Sequence, residues 1–241
     1  MRFAILLLLS GMPCMAFADV DMTFSDGSTF LVKDGRVMFG EADNAVLYVP
    51  GHEGLIVLNR RRQTFTQLNP GFAAELAERM DRQMEQALQS LPPEQREQVR
   101  QQLEEREAAA DDRHRDFQVN RSGKRDAVAG YDCHEAEIVS GVHDTHEIVC
   151  IASREELGIS EDDYRSLAAF MRMLADIAAV SMDGGSPIDL DLLGGLPIRS
   201  EDIDYGEESE LTAISTAGVD GARLEVPGDY DEVPIDALLA Q

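Results

Sequence analysis

Residues 130–153 read GYDCHEAEIVSGVHDTHEIVCIAS, and they hold Cys133, Cys150 and three of the chain's five histidines, His134, His143 and His146. The residues flanking Gly141-Val142 read as two strands, and glycine in the first position of a two-residue turn suits a type II′ hairpin. In that register Cys133 lies directly opposite Cys150. Cross-strand neighbours have Cβ atoms about 4.5–5.5 Å apart, and a disulfide needs about 3.5–4.5 Å, so a small adjustment closes the bridge. The same hairpin separates the histidines. Alternation turns His134 away from Cys133, His143 sits beside the turn, and His146 stands roughly 13 Å along its strand from Cys150 at the usual rise. A zinc ion needs every ligand within about 2.0–2.3 Å. The stretch therefore predicts an antiparallel hairpin tied by a structural Cys133–Cys150 disulfide, with no metal centre. The spacing is not C-x-x-C, so it carries no redox motif.

Upstream, Val20 to Leu68 runs as short strands with turn punctuation: MTF, TFLV, RVMF, AVLYV, GLIVL and TFTQL. Asp26-Gly27 and Asp34-Gly35 are hairpin turns, which predicts an antiparallel meander. After Asn69-Pro70 the period changes. Phe72, Leu76, Met80, Met84 and Leu88 recur every four residues, the mark of an amphipathic helix. Pro92-Pro93 stops it and opens a second helix, EQREQVRQQLEEREAAA, whose only large apolar residues are Val99 and Leu103. That helix reads as a polar, solvated arm, and residues 70–110 together as a helical insertion.

Downstream of a Ser122-Gly123 turn and the quoted hairpin, Ser160 and Asp163 form a capping pattern. Behind it Tyr164, Leu167, Ala168, Met171, Leu174, Ala175 and Ala178 share one face, so this is the helix that faces the core. Residues 181–196 are Gly-rich and predict a mobile loop. LPIRS, ELTAIST and ARLEV, then PGDYDEVPI, complete the strand candidates. The class predicted is α+β, a curved antiparallel half-barrel sheet cupping helices, with a polar helical arm.

The opening MRFAILLLLSGMPCMAFA reads as a secretory leader, residues 1–18, cleaved after Ala18 by an A-x-A match. Cys14 offers a lipid-anchored alternative, which Pro13 beside the cut disfavours. No later apolar run approaches the roughly 18 residues a transmembrane helix needs. Residues 19–241 then form a single exported domain, placed in the periplasm. The chain carries a formal charge of −25 with only two lysines, Lys33 and Lys124. Such a surface stays hydrated and repels nucleic acid, whose binding needs basic surface to displace counterions.

Arg60-Arg61-Arg62 is the one basic cluster, a candidate grip for a phosphate, a headgroup or an acidic partner, or else a solvated turn. The acidic run 201–210 lacks the pattern of a calcium loop. Nucleophile elbows, H-E-x-x-H and Walker loops are missing, so no catalytic residue and no cofactor is assigned. Met80, Met84, Met171 and Met173 either line an adaptable apolar pocket, since thioether side chains repack around varied ligands, or are ordinary core. A sheet cupping helices would draw its ligand lining from Phe72, Leu76, Met80, Leu167, Met171 and Leu174.

Several stretches resemble one family. They are VLYVPGHEGLIVLNRRRQTFTQL, LPPEQREQV, AVAGYDCHEAEIV with VCIASREELGI, and ARLEVPGDYDEV. Gly130-Tyr131-x-Cys133 and Val226-Pro227-x-x-Tyr230 are its more specific pieces, and the match runs in pieces over residues 45–235. The chain is similar to a periplasmic domain-of-unknown-function family, number 4412, akin to the outer-membrane lipoprotein carriers. The close departs from the pattern, reading Pro227-Gly228-Asp229-Tyr230 where the family has Pro-x-Gly-Tyr. The resemblance implies a curved sheet cupping helices and transfers no catalytic residue. A non-enzymatic periplasmic carrier of a hydrophobic ligand, a lipid or a lipidated protein, is the expectation. The alternative is an envelope interaction or stress-sensing module with a self-filled core, meeting a protein partner through the polar arm and Arg60–Arg62.

Overall fold

The computed structural model describes residues 19–52, 54–69, 71–101, 118–140, 145–178 and 189–235. The expected leader, the far end of the polar arm (102–110), the Gly141-Val142 turn and residues 181–188 of the Gly-rich loop lie outside the described residues. Six short strands come first: β1 (Val20–Phe24), β2 (Thr29–Lys33), β3 (Arg36–Gly40), β4 (Asn44–Tyr48), β5 (Leu55–Asn59) and β6 (Thr64–Leu68). Helices α1 (Phe72–Ser90) and α2 (93–101) follow. Then come β7 (Gln118–Val128), β8 (Tyr131–Ser140), β9 (Thr145–Ala152), α3 (Glu161–Ala178), α4 (Leu190–Leu193), β10 (Leu196–Asp202) and β11 (Glu208–Ser215). A 3₁₀ turn (Gly221–Leu224) and the short β12 (Asp231–Glu232) end the described chain.

The strands form one open sheet in the order β12-β6-β5-β4-β3-β2-β1-β11-β10-β9-β8-β7. Every neighbouring pair is antiparallel except β12 with β6. The sheet is therefore mixed but mostly antiparallel, and the class is α+β. Two meanders, β1–β6 and β7–β11, meet where β11 pairs with β1.

Strict alternation in the first meander buries both faces. Val32, Val37 and Leu55 point to one side, with Met22 and Val20, and receive Phe72 of α1 and Leu167, Ala168 and Phe170 of α3. Leu31, Met38, Leu47, Ile56 and Leu58 point to the other. That second face is covered by residues 219–230, a C-terminal strap that brings Val219, Leu224, Val226 and Tyr230 onto it. The expected arrangement, a sheet curling over helices, did not include this second layer. ARLEV was expected as a strand, yet Asp220 accepts the amide of Ala222 through its Oδ1, at 3.1 Å, and nucleates a 3₁₀ turn instead.

Polar contacts pin the strap. Lys33 Nζ donates to Asp19 Oδ2 and to the Val219 carbonyl, each at 2.7 Å. Arg223 pairs with Asp21 at 2.7 Å, and Arg36 with Glu225 at 3.2 Å. Beyond the turn, the Asp231 and Val233 amides donate to the Gln63 and Phe65 carbonyls on the β6 edge.

In the second meander, Glu135 faces Cys150 and Ser140 faces Thr145. The register differs by two residues from the expected one. A two-residue shift preserves the face on which a side chain lies, because strand side chains alternate with period two. The cysteines thus become diagonal neighbours, and the Cys133–Cys150 disulfide still forms, with Cα atoms 5.5 Å apart. Both are buried in the core shared with α3. Ser122-Gly123 is a bulge inside one long β7, not a turn between strands, since the pairing with β8 slips between Arg121 and Arg125.

The expected loop 181–196 is ordered structure over its last part. Asp189 caps α4 through the amides of Asp191 and Leu192, and Leu190 and Leu193 are buried. Leu193 covers Ala136, Ile138, Val149 and Ile151 on the back of β8 and β9. Gly195 permits this approach: a Cβ there would lie 2.4 Å from the Ala152 carbonyl oxygen.

Pro93 opens α2, as expected of a first-turn proline. Arg96 folds α2 back on α1 by donating to the Leu88, Gln89 and Leu91 carbonyls at 3.1, 3.1 and 3.2 Å. These are acceptors that a helix end leaves open.

Ser160 caps α3, its Oγ accepting from the Asp163 amide at 3.1 Å and donating to Asp163 Oδ2 at 2.6 Å. The Asp163 side chain is buried. Burial pushes its carboxyl above the ordinary value, Asp19, Asp162 and Asp34 add to the rise, and the Ser160 hydrogen bond opposes it. A raised acid favours the protonated fold, so its contribution is full below the unfolded pKa and lost as pH rises through the folded one. Asp163→Asn keeps the group neutral at every pH. Wild-type thermal stability relative to that variant should fall as pH rises from the unfolded carboxylate value, about 4, through the raised folded one, as read by calorimetry. A constant difference across that range would show that Asp163 does not titrate with folding.

Candidate functional site

Three phenylalanines stand side by side on the α3 face of the first meander. Alternation in TFLVK and RVMFG places Phe30 and Phe39 on that face, and the β2–β3 register sets them directly opposite each other. Their ring centroids are 4.4 Å apart. Phe24 of β1 meets Phe30 edge-on at 6.1 Å. Beneath them Phe170 of α3, fully buried, meets Phe30 edge-on at 6.4 Å. Such offset and edge-on pairs satisfy the ring quadrupoles and fix ring orientation.

Met171, next to Phe170, and Leu174, one turn further along α3, face the aromatic row across a gap. The space between is an open cleft of about 250 Å³, lined chiefly by Phe24, Phe30, Phe39, Met171, Leu174 and Pro197. Its rim is polar, carrying Asp26, Ser28, Arg199, Ser200 and Ser209. Arg199 is held by Asp126 at 2.9 Å. Burial pushes the Asp26 carboxyl up, but hydrogen bonds from Ser28 and Ser209 outweigh that and leave it below its ordinary value. The rim thus holds fixed charge beside an apolar floor.

Of the six lining residues expected from sequence, the structure brings Met171 and Leu174 to this cleft. Phe72 and Leu167 are core residues, 5% and 2% exposed, and are packed by their neighbours. Leu76 leans on the same core, and Met80 is half-buried on α1 outside the cleft wall. The aromatic row was missed. Its signal was the common parity of Phe24, Phe30 and Phe39 in consecutive strands, a pattern that becomes a surface only once the strand order is known.

The arginine cluster sits at the β5–β6 turn. Arg60 Nη1 donates to the Glu41 carbonyl at 2.9 Å, Arg61 is paired with the Asp43 carboxylate, and Arg62 is exposed. Arg60 borders a different cleft, on the strap side of the sheet. In the quoted hairpin, His146 Nε2 lies 2.6 Å from Glu137 Oε1, and His134 is exposed beside Arg125.

Asp26, Glu147, Asp202, Glu207 and Glu208 line an acidic cleft of about 550 Å³. Burial, then the charge of Asp202, raises the Glu147 carboxyl. Among the described residues, no three His, Cys, Asp or Glu side chains converge to hold a metal ion. No helix among them is long and apolar enough to cross a membrane.

No curated protein matches the chain. Among solved structures, those of PNGF-II in C2 and P21 space groups align with 92% of this chain at 10% and 9% identity, with TM-scores of 0.31 and 0.34. The chain spans 31% and 32% of their lengths, and a likeness of that degree carries no argument about fold or activity. The model of the domain of unknown function DUF4412 matches residues 56–230, from β5 to Tyr230 of the strap. That span takes in both cysteines, α3 and most of the sheet, and the chain belongs to the DUF4412 family.

Proposed function

We propose that this is a non-enzymatic binding protein for an apolar ligand, an acyl chain or the lipid group of a lipidated protein. The ligand's apolar end seats against Phe24, Phe30 and Phe39. One observation carries the reading: the aromatic row is left open by α3, and among the described residues no side chain fills the cleft. Small-molecule pockets run from about 300 to 1,000 Å³, and a cleft of about 250 Å³ suits the end of a chain better than a whole lipid. The reading of residues 1–18 as a leader fits export to the periplasm, and the resemblance to lipoprotein carriers, whose curved sheets cup helices, fits the ligand class.

A second reading rests on the packing around Phe170 and Leu167, 0% and 2% exposed. That density is what a self-filled interaction module has, with α2 and the Arg60–Arg62 turn meeting an envelope partner.

Native mass spectrometry of non-reduced protein from periplasm, incubated with phospholipid vesicles, separates the two. The carrier reading expects an adduct of lipid mass that is lost on denaturation. It also expects Leu174→Trp, which fills the cleft, to raise the dissociation constant for the adduct about tenfold, an effect equal to about 1.4 kcal/mol of binding. A bare polypeptide after incubation would overturn the carrier reading and favour the interaction module.

A further inference from the structure

The cleft on the strap side is larger than the aromatic one, about 480 Å³, and lies within the size range of small-molecule sites. Its sheet wall is Met38 and Leu58, 3% and 2% exposed. Its other wall is the strap, with Pro227 and Tyr230. Arg60 stands at the mouth.

Arg36, Arg61 and Arg223 around the same cleft are each paired with a carboxylate. Arg60 is not. Its guanidinium donates to the Glu41 carbonyl at 2.9 Å and rests on the Met38 sulfur at 3.6 Å. Among the described residues no carboxylate lies within ion-pair distance of it. Its donors therefore meet only neutral acceptors, while the Glu41 and Glu225 carboxylates line the same cleft without touching it. It is also held in place, since the Arg60 amide donates to the Asp43 carbonyl at 2.7 Å and fixes the turn. A prepositioned guanidinium loses little further freedom when an anion arrives, and it offers forked donors to planar oxyanions.

We propose that this cleft is a second ligand site, for a small amphipathic monoanion. An apolar body would lie between the Met38–Leu58 wall and Tyr230, and a carboxylate, sulfonate or phosphate group would face Arg60. Two features narrow the class. The Glu41 carboxylate shares the rim and opposes a second negative charge on the ligand. The net charge of −25 repels bare anions at a distance, so the apolar body must supply a share of the affinity. The site lies on the face of the sheet opposite α3 and does not depend on the carrier reading.

The test uses the oxidised full-length mature chain with ¹³C-labelled methionine methyls, titrated with 8-anilinonaphthalene-1-sulfonate. The expected result is a saturable shift of the Met38 methyl while Met171, in the aromatic cleft, stays unmoved. Arg60→Gln, which keeps the side-chain length and removes the charge, should raise the dissociation constant about tenfold, the loss of one charge-assisted contact. Arg62→Gln, in the same turn but exposed, should change it less than twofold. The wild-type spectrum is decisive even if Arg60→Gln folds poorly. Absence of binding, an unmoved Met38 at saturation, or an Arg60→Gln affinity within twofold of wild type would each overturn the site.

Discussion

Phe170→Ala is expected to remove about 3–5 kcal/mol of stability, the usual cost of truncating a buried phenylalanine. The cost sits at the upper end of single substitutions because Phe170 is 0% exposed and heads the fully buried side chains in size. It belongs to the core that joins α3 to both meanders, so nearby groups cannot collapse into the void without moving the helix off the sheet. Its edge contact with Phe30 also orients the aromatic row. The variant should therefore lose ligand occupancy at temperatures where it is still folded. Denaturant unfolding reads the stability: a loss below about 1 kcal/mol would place α3 outside the cooperative core, because surface substitutions cost that little.

Removing the disulfide should cost nearly as much. Cys133 and Cys150 are 17 residues apart, and closing a loop of about that length stabilises by about 3 kcal/mol in the chain-entropy account. For a chain of this size each kcal/mol is worth about 2–4 °C, so Cys133→Ala with Cys150→Ala should lower Tm by about 6–12 °C. A reducing agent should impose a similar drop on the wild type and none on the double variant. A wild type indifferent to reductant would mean that the bridge spans a region that unfolds early, and the β8–β9 hairpin would then lie outside the main transition.

Much of the sheet was legible because short alternating runs between glycine turns have one physical meaning. TFLV, RVMF, AVLYV, GLIVL and TFTQL all became strands of the first meander. What failed was punctuation and partnership. Ser122-Gly123 carries a turn signal, yet the pairing with β8 resumes beyond it, so the two residues become a bulge. ARLEV alternates like a strand, but Asp220 caps it into a 3₁₀ turn and the strap covers the sheet instead of joining it there. The disulfide was legible despite a wrong register because face survives a shift of two. The cleft was half legible. The helical face that carries Met171 and Leu174 follows from a single period of 3.6, whereas the aromatic row joins three strands whose adjacency and parity no local pattern states. The Arg60–Arg62 run was visible as charge, and only the structure separates a paired Arg61 from an unmatched Arg60.

An apolar ligand seated between the aromatic row and α3 would touch Met171, which lines the cleft. The most direct measurement is the methionine-methyl spectrum of the oxidised protein titrated with a neutral single-chain acylglycerol, in wild type and in Leu174→Trp. The Met171 methyl should shift saturably in the wild type, Met38 on the opposite face should not, and the shift should be lost in Leu174→Trp. An unmoved Met171 at ligand saturation, or an equal shift in both proteins, would contradict it.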